Sequence, residues 1–152
     1  MPRALSSEPI LIVEDNDNDA LLLKKALQRN QVTNPIHIAP DGVEALKYLC
    51  GEPPYEDRQA YPFPSVIYSD LKMPRMDGFE VLNYLKSHPD CAIIPVIVMT
   101  ASDQDQDIKK AYELGANSYI VKPDTLDELT EIVGLCIDYW KVCSKPQVPA
   151  KC

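Results

Sequence analysis

The stretch SVIYSDLKMPRMDGFE, residues 65–80, decides the reading of this chain. It begins with a short run rich in β-branched and aromatic residues and reaches a carboxylate, Asp70. Such a run, bounded by Pro64 and a polar turn, predicts a strand buried on both faces of a parallel sheet. Asp77, Gly78, Phe79 and Glu80 then open a helix that runs to about Ser87. Parallel strands need a crossover of this kind, usually helical.

The same unit recurs on both sides. Upstream, residues 9–14 (PILIVE) form a nearly all-apolar strand, and residues 17–28 have helical spacing. Ala20, Leu23, Ala26 and Leu27 share one face of that helix, and Lys24 and Lys25 sit off it. Residues 35–39 are a second strand. Asp41 followed by Glu44 resembles a capping box and opens a helix to about Leu49. Downstream, residues 94–100 (IPVIVMT) are the fourth strand, and residues 104–114 a helix with Gly115 as its C-terminal stop. Residues 117–121 are the fifth strand. Thr125 and Glu128 form another capping box, opening a helix to about Val142. Five strand–helix units predict an α/β fold, a doubly wound five-stranded parallel sheet. Residues 51–64 break the rhythm with Pro53, Pro54, Pro62 and Pro64, and predict an irregular surface loop. The plainest reading of that loop is a tolerated insertion.

Composition narrows the function classes. The 152 residues carry a net charge of −8 with 45% hydrophobic residues, as expected of one globular domain. An acidic chain with no basic block is poorly suited to gripping a phosphate backbone, so direct DNA binding is not expected. No apolar run reaches the length of a membrane span, and the first residues lack the apolar core of a signal peptide. A cytoplasmic protein is expected. Cys50, Cys91, Cys136, Cys143 and Cys152 include no C-x-x-C pair and are odd in number, which predicts reduced thiols. At a loose tail, Cys152 could pair between molecules on storage.

In a parallel sheet ligands sit beyond the C-terminal strand ends, near the switch in strand order. Glu14 and Asp15 end the first strand, Asp70 the third, Thr100 the fourth and Lys122 the fifth. Each alone reads as a solvated strand end. Together they crowd three carboxylates, which repel one another unless a cation intervenes. Oxygen-only ligands favour a hard cation, foremost Mg²⁺. The run of Asp15, Asp17 and Asp19 imitates an EF-hand calcium loop, but that motif requires Gly and Glu where this chain has Ala20 and Ala26.

Four segments then become specific: Val13 to Asn16, Ser69 to Gly78, Met99 to Ala101, and Tyr119 to Pro123. In this order, at these strand ends, they resemble the signature of response-regulator receiver domains over residues 8–143. Residues 1–7 and 144–152 are read as tails. The Pro-rich loop, with Asp138, Tyr139 and Trp140, is further similar to the small regulators that partner phytochrome kinases. The resemblance implies the flavodoxin-like (βα)5 receiver fold with strand order 2-1-3-4-5. It implies Asp70 as the acceptor of a phosphoryl group from a sensor histidine kinase. Glu14, Asp15, Asp70 and the Lys72 backbone carbonyl would serve Mg²⁺, with Mn²⁺ as a substitute and Glu14 acting largely through a metal-bound water. Lys122 would pair with phosphoryl oxygens, and the Lys122–Pro123 bond would be cis. Thr100 and Tyr119 would be the switch that reshapes the face of the fourth helix, fifth strand and fifth helix. Such a protein catalyses its own phosphorylation and dephosphorylation without being an enzyme acting on other substrates.

Beyond the fifth helix only residues 144–152 remain, so output is expected through the domain's own surface. On that helix Leu126, Leu129, Ile132, Val133, Cys136, Ile137 and Trp140 form the core stripe. Leu135, Tyr139 and Val142 follow the same spacing on the opposite face, which predicts a homodimer surface. A downstream target protein or phosphotransfer protein completes the expected partners. Three rivals carry distinct signatures. A Mg²⁺-dependent phosphatase of the haloacid-dehalogenase type needs a second Asp where Lys72 stands. A flavin module needs a phosphate cradle, where residues 14–17 would repel phosphate. A phosphorylation-independent scaffold has no need of the intact acidic pair, Thr100 and Lys122.

Overall fold

A computed structural model describes residues 8–147. The chain alternates strictly: β1 (Ile10–Val13), α1 (Asp17–Arg29), β2 (Ile36–Ala39), α2 (Gly42–Cys50), β3 (Val66–Ser69), α3 (Gly78–Ser87), β4 (Val96–Thr100), α4 (Asp105–Glu113), β5 (Ser118–Val121) and α5 (Leu126–Val142). The strands form one parallel sheet in the order β2-β1-β3-β4-β5, as the resemblance implied.

Strand alternation divides the core in two. Leu11 and Val13 of β1 join Ala45, Tyr48 and Leu49 of α2, residues of α3 and Ala111 of α4 on one face. Ile10 and Ile12 point the other way, towards Ala20, Leu23, Ala26 and Leu27 of α1 and Leu129, Val133 and Ile137 of α5. All four residues of β1 are buried, and each large apolar side chain so removed from water stabilises the fold by roughly 1.5–3 kcal/mol. The whole predicted α1 stripe is buried, and Ala20 and Ala26 are packing residues of that helix, not parts of a calcium loop. The α5 stripe is narrower than predicted. Leu129, Val133 and Ile137 are buried, while Leu126, Ile132, Cys136 and Trp140 are half-buried at its margins.

The helix starts are those of the capping residues. The carboxylate of Asp41 accepts from the Glu44 N–H at 2.9 Å, and the Thr125 hydroxyl oxygen accepts from the Glu128 N–H at 3.1 Å. Gly115 follows α4 with φ of 102°, the left-handed conformation that glycine adopts at least cost. His37 is half-buried against the rings of Tyr48 and Tyr61, and His88 ends α3 stacked on Tyr84.

Three findings extend or correct these expectations. The 51–64 segment is irregular, as its prolines predict, and is also firmly packed. Tyr55 and Tyr61 pack on the buried Tyr48, whose hydroxyl donates to the Pro62 carbonyl at 2.7 Å. Arg58 donates to the carbonyls of Tyr48 and Leu49, covering the open end of α2. Second, Cys91 is disulfide-bonded, whereas Cys50, Cys136 and Cys143 are free thiols. The expectation for Cys152 lies outside the described residues. Third, the cis peptide bond among the described residues joins Pro53 to Pro54, not Lys122 to Pro123. The Lys122 backbone is held instead by its N–H on the Thr100 carbonyl at 2.7 Å.

Candidate phosphorylation and cation site

The acidic rim is assembled by continuing the sheet's hydrogen bonding past the strands. The Glu14 N–H donates to the Ala39 carbonyl and the Asp70 N–H to the Val13 carbonyl, each at 3.0 Å. These bonds fix both acids beside the β1–β3 junction, where strand order reverses. Glu14 and Asp70 are buried and Asp15 is exposed. One carboxylate oxygen from each of the three lies within 4.8 Å of the other two.

Lys122 reaches into this cluster. Its ammonium donates to Asp70 Oδ2 at 3.0 Å, Glu14 Oε2 at 3.0 Å and Asp19 Oδ2 at 2.8 Å. Burial alone would lower its pKa, but Asp19, Asp70 and Glu14 hold it well above the ordinary lysine value. Sequence reading places Asp19 only in the rejected calcium run, not as a partner of Lys122. Its signal was its place in the first turn of α1, just beyond the Asn16 cap and facing back over the end of β1.

The two buried acids respond oppositely. Burial pushes Asp70 up, but the Thr100 hydroxyl, the Lys122 ammonium and the Leu71 N–H outweigh it, so its carboxyl lies below the usual range. The Leu71 N–H donates to Asp70 Oδ1 at 2.7 Å. Asp70 is therefore an ionised, oriented carboxylate at neutral pH. Glu14 is pushed up to about 7, first by burial and then by the charge of Asp70, with Lys122 opposing. One ammonium does not neutralise the cluster. The donor set and the excess negative charge fit a hard divalent cation.

A cation bound here must displace the proton that Glu14 holds near neutrality. Mg²⁺ affinity, followed by titration calorimetry, is expected to weaken as pH falls from about 8 to 6. Glu14→Gln is expected to weaken binding about tenfold at pH 8 and to flatten that pH dependence.

Thr100 is buried at the end of β4, and its hydroxyl oxygen faces the Ser102 N–H at 3.5 Å. Tyr119 is half-buried on β5; its hydroxyl donates to the Ser102 carbonyl at 2.9 Å. The Lys72 side chain is exposed and turns to Asp107 at 3.7 Å, which also accepts from the Ser102 hydroxyl at 2.6 Å. Lys72 is thus in no position to act as the acid–base group of a phosphatase. Leu135, Tyr139 and Val142 are 67%, 69% and 76% exposed on α5, so they take no part in this site but do form an unburied apolar stripe.

Comparisons with known proteins agree on one family. The sequence model of the response regulator receiver domain matches residues 10–134. The probable methanogenesis regulatory protein FilR2 of Methanothrix harundinacea is 35% identical over 141 residues, 93% of this chain and 88% of that protein. Response regulator Rcp1 of Synechocystis sp. is 35% identical over 131 residues, 86% of this chain and 87% of that one. The Mn²⁺-bound form of Rcp1 superposes with a TM-score of 0.81 at 33% identity, covering 92% of this chain and 99% of that chain. The phosphorylated cyanobacterial phytochrome response regulator RcpA gives 0.85 at 35% identity, covering 93% of this chain and all of that chain. No helix among the described residues is long and apolar enough to cross a membrane. With the parallel 2-1-3-4-5 sheet and the acidic cluster at its switch point, these matches establish that the chain belongs to the response regulator receiver domain family.

Proposed function

We propose that Asp70 accepts a phosphoryl group from the phosphohistidine of a sensor histidine kinase, in a Mg²⁺-dependent reaction that Mn²⁺ also supports. The observation that carries this reading is the ion pair of Lys122 with Asp70 at 3.0 Å inside the Glu14, Asp15 and Asp70 cluster. A carboxylate oxygen of Asp70 attacks phosphorus, the phosphorus–nitrogen bond breaks, and the histidine nitrogen keeps the electron pair. Phosphoryl transfer is mainly positioning and charge stabilisation, and this chain supplies both. The Leu71 N–H orients the nucleophile. Lys122 exchanges its carboxylate partners for the incoming phosphoryl oxygens. Glu14, Asp15, Asp70 and the Lys72 carbonyl are the groups that would hold the cation, whose role is to neutralise charge developing on those oxygens.

Readout follows from Thr100 and Tyr119. The Thr100 hydroxyl already helps hold the Asp70 carboxyl below its usual range, and the Tyr119 hydroxyl already donates to the Ser102 carbonyl. We assign this arrangement to the signalling form, which a phosphoryl group at Asp70 would stabilise through added contacts with Thr100 and Lys122. The α4–β5–α5 face then carries the signal to a downstream protein in the cytoplasm, without direct DNA binding. The exposed stripe of Leu135, Tyr139 and Val142 on α5 we assign to a homodimer. Light scattering on dilution is expected to show a dimer in the wild type and a monomer in Tyr139→Glu. A wild type that is monomeric both with and without a phosphoryl analogue contradicts the dimer.

The likeness to RcpA, a cyanobacterial phytochrome response regulator, points to a phytochrome-type kinase as the donor. The test is transfer of labelled phosphoryl from an autophosphorylated phytochrome kinase. Label is expected on the wild type and none on Asp70→Asn. Label retained on Asp70→Asn contradicts the assignment of Asp70.

A further inference from the structure

The loop between β3 and α3 is clamped to α2 by a chain of polar contacts that begins in the 51–64 segment. Arg75 stands at its centre. Its φ is +64°, and the Met76 N–H closes a three-residue turn onto the Pro74 carbonyl at 2.7 Å. A non-glycine residue in such a turn is strained, and strain of this kind persists only where the surroundings over-determine it.

The surroundings here are specific. Nε of Arg75 donates to Asp41 Oδ2 at 2.8 Å, and Nη2 lies 2.7 Å from the same oxygen. Asp41 is buried, and its other oxygen caps α2 through the Glu44 N–H. Glu44 Oε1 lies 3.6 Å from Arg75, while Glu44 Oε2 accepts from the Tyr55 hydroxyl at 2.9 Å. The Gly42 N–H donates to the Met76 carbonyl at 3.1 Å, so backbone meets backbone across the same joint. Only the guanidinium fork can satisfy a buried carboxylate in this way; a lysine offers a point charge.

We propose that Arg75 and Tyr55 are positioning residues for the phosphorylation site. Through Asp41 and Glu44 they hold residues 71–77, the loop carrying the Lys72 carbonyl, against α2. The 51–64 segment thereby sets how well the site binds a divalent cation. The inference rests on the reading of Asp70 and its neighbours as the cation and phosphoryl site.

The experiment uses the full chain as wild type, Arg75→Ala, Arg75→Lys, Tyr55→Phe and the double variant Arg75→Ala/Tyr55→Phe. The readouts are Mg²⁺ affinity by calorimetry and amide exchange by NMR in metal-free protein. The Gly42 amide, bonded to Met76, reports the joint; the Ile67 amide, bonded to Pro95, reports the sheet. In Arg75→Ala the Gly42 amide is expected to exchange about tenfold faster with Ile67 unchanged, and Mg²⁺ to bind about tenfold more weakly. Arg75→Lys recovers part of both, and Tyr55→Phe shows a two- to threefold effect, roughly, that disappears in the Arg75→Ala background. Mg²⁺ affinity of Arg75→Ala within about twofold of wild type overturns the inference, as does equal acceleration at Gly42 and Ile67. A wild type that binds Mg²⁺ no better than Asp70→Asn removes the site reading itself, and the inference with it.

Discussion

Replacing Lys122 with alanine is expected to slow phosphoryl uptake by on the order of 10²–10³-fold, because it removes the one ammonium aimed at the developing charge. The geometry sets the size of this effect. Lys122 is the shared partner of Asp70, Glu14 and Asp19, and no other cation is bonded to these oxygens among the described residues. The same replacement leaves three acids facing one another with Glu14 buried. In metal-free buffer at pH 8 the variant is expected to lose about 2 kcal/mol of stability. This is less than a fully buried pair would lose, because Asp19 and the Lys122 side chain keep some contact with water. Mg²⁺ is expected to restore that stability and to bind several-fold more tightly than in the wild type, since its competitor is gone. Denaturant melts with and without Mg²⁺, beside uptake rates from acetyl phosphate, check both halves. A variant that takes up phosphoryl groups at the wild-type rate contradicts the role given to Lys122.

Gly78→Ala is expected to damage the site from behind. Gly78 opens α3 directly beneath the phosphorylation loop, and its N–H donates to the Leu71 carbonyl at 2.9 Å. A Cβ there would overlap the Asp70 carbonyl oxygen and lie 2.9 Å from the Leu71 Cα. Both neighbours are backbone, so no rotamer change relieves the contact. Either the end of β3 or the start of α3 must move. The expected cost is about 2–3 kcal/mol of stability from overpacking. Uptake is expected to fall about 10²-fold from misplacing the Asp70 carboxylate by even 1 Å. Intact stability with full uptake would show that the loop is freer than its packing indicates.

How much of this was legible beforehand depends on whether the signal was local. PILIVE and IPVIVMT are strands because they are short, apolar and bounded, and β1 and β4 lie within them. Asp41 and Thr125 announce their helices three residues ahead of Glu44 and Glu128, and both caps are formed. The convergence of Glu14, Asp15, Asp70 and Lys122 was legible because the sheet rule makes strand ends neighbours. What was not legible depends on contacts between distant segments. Asp19 joins Lys122 only because α1 folds back over β1, and Arg75 finds Asp41 only because the β3–α3 loop lies on α2. Prolines in the 51–64 segment correctly predicted irregular backbone. Its aromatic residues, Tyr55 and Tyr61, were the overlooked sign that irregular backbone can still pack on Tyr48.

The central claim is that Asp70 is a Mg²⁺-dependent phosphoryl acceptor. Intact mass after incubation with acetyl phosphate, with and without Mg²⁺, on wild type and Asp70→Asn tests it most directly. The expected result is a gain of one phosphoryl group by the wild type in Mg²⁺, little gain without it, and none by Asp70→Asn. An unchanged wild-type mass in Mg²⁺, or an equal gain by Asp70→Asn, would contradict the claim.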